Sequence, residues 1–161
     1  MRESNLWTTE TLKGKPQSHR ATEQEQTGLN TSQVKTPGLN TLNSITHRII
    51  GAAIDVHRHL GPGLSELLYE RAMCIEFELR GIGYGSQIRV DAEYKGHLLG
   101  QYRIDAIVED SVVVEVKCVT SILPVHEAQV LTYLRLTKKR LGLLINFHER
   151  VLIDGIRRFA L

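Results

Sequence analysis

Asp105, Glu115 and Lys117 are the residues of this chain whose types and spacing could do chemistry together. They stand in the stretch Tyr102-Arg-Ile-Asp-Ala-Ile-Val-Glu-Asp-Ser-Val-Val-Val-Glu-Val-Lys-Cys118, which reads as a β-hairpin. Side chains alternate along a strand, so Glu115 and Lys117 share a face. If Glu109-Asp110-Ser111 is the loop, Asp105 falls opposite Glu115, and Arg103 opposite Lys117. A two-residue loop at Glu109-Asp110 would pair Asp105 with Val114 instead. The first register gathers two carboxylates and an ammonium among Val and Ile. Charge gathered there is costly unless it is paired, solvated or bound to a metal. Acidic oxygens beside a lysine suit a hard cation that activates water on a phosphodiester. An ordinary ion pair between Asp105 and Lys117 is the plainer alternative.

The elements that must position these groups can be read along the 161 residues. Residues 1–42 are rich in Thr, Gln, Ser, Asn, Lys and Gly, with scattered apolar residues such as Trp7. Such a segment is expected to stay disordered, because it offers little to bury against its chain entropy. A single domain over 43–161 follows. Asn43 or Ser44 is the expected N-cap of a first helix. Its stripe is Ile45, Ile49, Ala52, Ala53, Val56 and Leu60, and it ends at Gly61-Pro62-Gly63. A second helix is expected from Ser65 to Arg80, with Leu64, Leu68, Ala72, Ile75 and Leu79 toward the core. Glu66, Tyr69 and Met73 line another of its faces. Strands are expected over 87–94, 97–108 and 112–119. A helix opened by Pro124 follows, with His126, Gln129 and Tyr133 on one face. Strands over 140–147 and 151–159 close the chain. The helix between the third and fourth strands requires those two to run parallel in an otherwise antiparallel sheet.

Twenty Lys and Arg against eighteen Asp and Glu give a formal charge of +2 and a pI near 8.6. That balance permits nucleic-acid binding without arguing for it. The best basic run is Arg135, Lys138, Lys139 and Arg140, which could equally complement a helix end. Cys74 and Cys118 lack zinc spacing and read as reduced, buried small hydrophobes. No secretory signal or transmembrane run is recognisable, so the default expectation is a cytoplasmic protein without membrane contact.

The element order, with Asp105 and Glu115-Val-Lys117 on successive strands, resembles the PD-(D/E)xK nuclease superfamily. Gly63-Leu-Ser-Glu66-Leu-Leu-Tyr69 resembles the naming motif of its GxxExxY family. Ile50-Gly-Ala-Ala-Ile-Asp-Val-His57, His59-Leu-Gly-Pro-Gly63, Pro124-Val-His-Glu-Ala-Gln129, Leu131-Thr-Tyr-Leu134 and Gly142-Leu-Leu-Ile-Asn-Phe147 are similar to the same family. The resemblance covers about residues 44–159. It implies an α/β, or mixed-sheet α+β, restriction-endonuclease-like core with helices flanking a central mixed β-sheet.

The resemblance also implies roles. Asp105 and Glu115 are the expected metal carboxylates, Lys117 the catalytic lysine, Glu66 the helical acid and Gln129 the glutamine of the following helix. His57, Tyr69 and Arg103 are auxiliary candidates. Each has a structural alternative: Glu66 as a dipole-favoured first-turn acid, Tyr69 as a wall, His57 as a satisfied core-edge group and Gln129 as a cap. The implied activity is Mg2+- or Mn2+-dependent hydrolysis of nucleic acid, DNA ahead of RNA. The alternatives are a catalytically silent nucleic-acid-binding or protein-interaction module, and a homodimer that uses a sheet or helix face.

Overall fold

The computed structural model describes residues 37–161. The Trp7 segment and the rest of 1–36 lie outside the described residues. Helix α1 spans Leu39–Leu60 and α2 spans Glu66–Leu79. Strands β1 (Tyr84–Tyr94), β2 (His97–Val108) and β3 (Val112–Lys117) follow. Helix α3 is Pro124–Thr137, β4 is Leu141–Asn146, and a 3-10 turn at Leu152–Gly155 leads into β5, Ile156–Ala160. The sheet order is β1-β2-β3-β4-β5. Only β3 and β4 run parallel, as the α3 crossover requires. The fold is therefore a mixed α/β sheet flanked by helices, consistent with a restriction-endonuclease-like core.

Two apolar clusters divide the sheet's faces. One joins α1 and α2 to Ala106, Val108, Val112, Val114, Val116, Leu141, Leu143 and Ile145. The other sets Tyr133 and Leu134 of α3 against Ile104, Ile107 and Val113. β3 and β4 are buried along their whole length, which suits their continuous Val, Leu and Ile runs.

Several boundaries differ from the sequence reading. Helix α1 starts at Leu39, with Gly38 as its N-cap, so Asn43 and Ser44 lie inside it. The buried side chain of Leu42 extends the apolar stripe by a further turn and pulls those residues into the helix. β1 begins at Tyr84, before the expected Gln87, and β3 ends at Lys117, before Val119. The chain expected to be strand from Val151 turns once as a 3-10 helix first.

The largest difference is the orientation of α2. Its buried side chains are Tyr69, Met73 and Phe77. The expected core residues Ile75 and Leu79 are 58% and 77% exposed, and Leu68 is exposed too. Two apolar stripes compete on this helix, and the one with two aromatics wins. A buried aromatic removes more apolar surface than a leucine, provided its polar end is satisfied. Tyr69 meets that condition: its hydroxyl donates to Gly61 O at 2.5 Å and accepts from Leu64 N–H at 3.2 Å. Its ring stacks on Phe147 with centroids 4.4 Å apart.

β1 and β2 form a long hairpin arm. They pair from Tyr84↔Val108 to Tyr94↔His97, whereas β2 pairs with β3 only at Ala106↔Val114, Ile107↔Val113 and Val108↔Val112. From Ala106 toward the arm's tip, β2 leaves β3, and His97 to Arg103 are exposed. β3 continues beside β4 as far as Lys117↔Asn146. The strands therefore fork next to Asp105.

Candidate metal centre

The fork leaves the Val116 N–H without a ladder partner from β2. Asp105 Oδ2 accepts it at 2.8 Å. The rungs from Val108↔Val112 to Ala106↔Val114 follow the three-residue-loop register, whose next step sets Asp105 against Glu115. Asp110 takes a positive φ of 46° in that turn, and Ser111 N–H bonds Val108 O at 2.9 Å.

On β3, Glu115 is 2% exposed. Lys117 Nζ donates to Glu115 Oε1 at 2.5 Å, to Val116 O at 3.2 Å and to Glu66 Oε1 at 3.4 Å. Glu115 Oε2 is buried with no partner among the described residues. Asn146 and Phe147 hold the end of β3. Asn146 exchanges two hydrogen bonds with the Val119 backbone, at 3.0 and 2.8 Å, and Phe147 N–H bonds Lys117 O at 2.8 Å.

Glu66 arrives from the first turn of α2. The connection before it needs positive φ at Gly61 (65°) and Gly63 (114°), which glycine adopts without Cβ strain. Tyr69, one turn later, pins that connection through Gly61 and Leu64. The spacing Gly63, Glu66, Tyr69 thus has a local physical meaning: a left-handed entry, an acid at the helix start and a buried hydroxyl that fixes the entry.

Glu66, Glu70 and Asp105 offer carboxylate oxygens all within 4.8 Å of one another. Glu70 is the member that the sequence reading did not single out. Its signal was available, since i and i+4 on a helix share a face. Gln87 of β1 donates to Glu70 Oε2. Glu115 is not in this group of three and stays with Lys117.

The electrostatics follow from burial. Glu115 is pushed up to about 7, by desolvation first and then by the charge of Asp105. Desolvation also raises Asp105, against the Val116 N–H bond and the Lys117 charge. Glu70 is raised by desolvation and by Asp105, with Arg103 acting the other way. For Lys117, burial disfavours the ammonium, but the bond and charge of Glu115 outweigh it, and the net shift is upward. Four carboxyl groups and one ammonium therefore share a mostly buried space with negative charge in excess. An orphaned carboxylate oxygen and three converging acids are a hard-cation donor set, and they fit Mg2+ or Mn2+.

Of the other candidates, none makes a hydrogen bond to the carboxylates among the described residues, and Arg103 alone acts on them, through its charge. Gln129 Nε2 donates to Tyr133 OH at 2.5 Å, and Tyr133 OH donates to Arg103 O at 3.1 Å. No hydrogen bond joins Gln129 to the acids among the described residues. His57 Nε2 meets Glu149 O at 2.8 Å, and its ring lies near Phe147. Tyr69 is a buried wall. Arg103 is exposed on the arm, two residues from Asp105. In the basic run, Lys139 binds Asp110 at 2.6 Å, at the end of β3 away from Lys117. Both cysteines are free and half-buried.

The chain is similar over residues 43–159 to a family model described as the PD-(D/E)XK nuclease superfamily. No curated protein matches it. A solved structure titled "Crystal structure of SSO0001" is 17% identical, with 76% of each chain covered and a TM-score of 0.35. Among the described residues, no helix is long and apolar enough to cross a membrane.

Proposed function

The chain belongs to the PD-(D/E)XK nuclease superfamily, and from that premise we propose that it is a metal-dependent nuclease of the GxxExxY kind. It hydrolyses phosphodiester bonds in nucleic acid, with DNA ahead of RNA. The observation that carries this reading is the orphaned Glu115 Oε2 beside three converging carboxylates. Acids converging in that number, two of them buried, are unfavourable without a cation to neutralise them.

Asp105, Glu66 and Glu70 would hold Mg2+ or Mn2+, with the free oxygen of Glu115 completing the donor set. When bound, the ion supplies Lewis acidity, lowering the pKa of water and offsetting charge on the phosphate. The chain's own residues do the rest. Lys117 stays cationic between Glu115 and Glu66, where its ammonium orients the attacking water and meets negative charge developing on the phosphate. Asp105 keeps one oxygen on Val116 N–H, so its other oxygen is held in position. Tyr69 fixes the entry to α2, and through it Glu66. Gln129 supports the Arg103 backbone through Tyr133 and acts as a positioning residue.

The test is a cleavage assay on single-stranded and duplex DNA and RNA with Mg2+, Mn2+ and EDTA. Cleavage with either metal that EDTA removes is the expected result. Binding without cleavage under every divalent metal would replace this reading with a silent nucleic-acid-binding module.

A further inference from the structure

Arg89 and Arg103 face each other directly across the β1–β2 hairpin. Both are exposed, and neither makes an ion pair or side-chain hydrogen bond among the described residues. Asp91, two residues farther out, is taken by Gln101 Nε2 at 2.7 Å. Like charges directly opposite on a sheet oppose folding unless something neutralises them.

Their direction follows from their neighbours. Ile88, Val90 and Ile104 pack with α3, and the ring of Tyr102 meets Tyr133 edge-on. Alternation then turns Arg89 and Arg103 to the other face, toward α2. That is the side on which Gln87 and Asp105 line a cavity of about 480 Å³. The step from Arg103 to Asp105 is about 6.6 Å along the strand, roughly one nucleotide of extended chain.

The cavity is the second observation. It lies between α2 and β1, with Glu70 and Asp105 on its polar side and Leu67, Cys74 and Ile75 as apolar walls. Its volume lies in the small-molecule range of about 300–1,000 Å³. Leu67 and Ile75 belong to the part of α2 that the fold leaves exposed.

We infer that this surface takes an unpaired nucleic-acid strand, with a backbone phosphate between Arg89 and Arg103 and an unstacked base in the cavity beside the carboxylates. A base within a duplex cannot enter such a cavity without leaving its stack, so the substrate class is single-stranded nucleic acid or a strand end. The assignment rests on the nuclease reading for the phosphate that is cut, but its binding test is independent of cleavage.

The experiment is fluorescence anisotropy of the full chain in EDTA with a labelled single strand and its matched duplex. The single strand should bind about tenfold tighter, on the scale of one base contact. Arg89→Gln with Arg103→Gln should weaken single-strand binding about tenfold and flatten the log K against log salt slope by roughly 0.7 per phosphate released. The same pair should leave the protein folded, since both side chains are exposed. Ile75→Asp, at an exposed position, should reduce the preference for the single strand. Equal affinity for duplex and single strand, no binding at all, or an unchanged salt slope in the double variant would overturn the assignment. Single-strand binding in EDTA together with no cleavage of the same strand in Mg2+ or Mn2+ would overturn the nuclease reading and leave this one standing.

Discussion

The Lys117 ammonium sits 2.5 Å from one oxygen of Glu115, and the other oxygen of that carboxylate is buried with no partner among the described residues. The pair is therefore half-satisfied. Its ammonium is well placed, while its acid keeps an acceptor for something the protein does not supply.

Asp105→Asn should abolish cleavage and weaken metal binding while slightly stabilising the metal-free fold. The amide oxygen can still accept the Val116 N–H, and repulsion from Glu66 and Glu70 disappears. The gain should be on the order of 1 kcal/mol, the usual size of a single-site effect. Urea denaturation in EDTA measures it, and a large loss of stability would contradict the like-charge account.

Lys117→Ala should lose cleavage and keep metal binding. It also leaves Glu115 buried and unpaired, a penalty that protonation relieves. The expected cost is about 1–3 kcal/mol near pH 8, smaller at pH 5. Denaturation curves at the two pH values check the trend, and a pH-independent cost would show that Glu115 does not titrate.

The pH dependence of the metal-free protein has a definite sign. Glu115 rises from its ordinary 4.5 to about 7 on folding, so the folded state binds more protons between those values. Stability should then fall as pH rises from about 4.5 to 7, with Asp105 and Glu70 adding in the same direction. Mg2+ requires ionised carboxylates, so its affinity should climb over the same window with release of protons. At 100 times the Kd it should add about 2.7 kcal/mol to stability. Calorimetry in two buffers of different ionisation enthalpy counts the protons.

Tyr69→Phe should cost about 1–3 kcal/mol, because Gly61 O and Leu64 N–H lose a buried partner. Metal affinity should fall with it, since the freed connection no longer fixes Glu66. Glu70→Gln touches neither bond. It should weaken metal binding without that loss of stability. Equal effects of both variants on melting would argue against separate roles.

Much of the site was legible because strand register obeys counting. Three loop residues between Val108 and Val112 set the register as far as Ala106↔Val114, and the alternation of β3 put Lys117 with Glu115; the fork that turns Asp105 onto the Val116 N–H was not legible. The α3 crossover gave the parallel pair by chain direction alone. The α2 face was not legible, because two apolar stripes of similar spacing competed. The deciding contact, Tyr69 on Phe147, links positions far apart in the chain. Glu70 was legible only as the i+4 neighbour of Glu66 on one helix face. Its relevance depends on which way α2 is turned. The pairing of Arg89 with Arg103 required the β1 register, which a weakly alternating strand does not reveal.

Ten residue pairs join β2 to β1, but only three join it to β3. Asp105 stands at that junction, while Glu115 and Lys117 sit on β3, which pairs with β4 over its full length. The two acids thus ride on different mechanical parts, Asp105 at the root of a lever and Glu115 on its mount. Bending at the root changes the gap between Asp105 and Glu115 without breaking a rung of the β3–β4 ladder. A strand pressing on the arm's arginines would do work on the spacing of the carboxylates themselves.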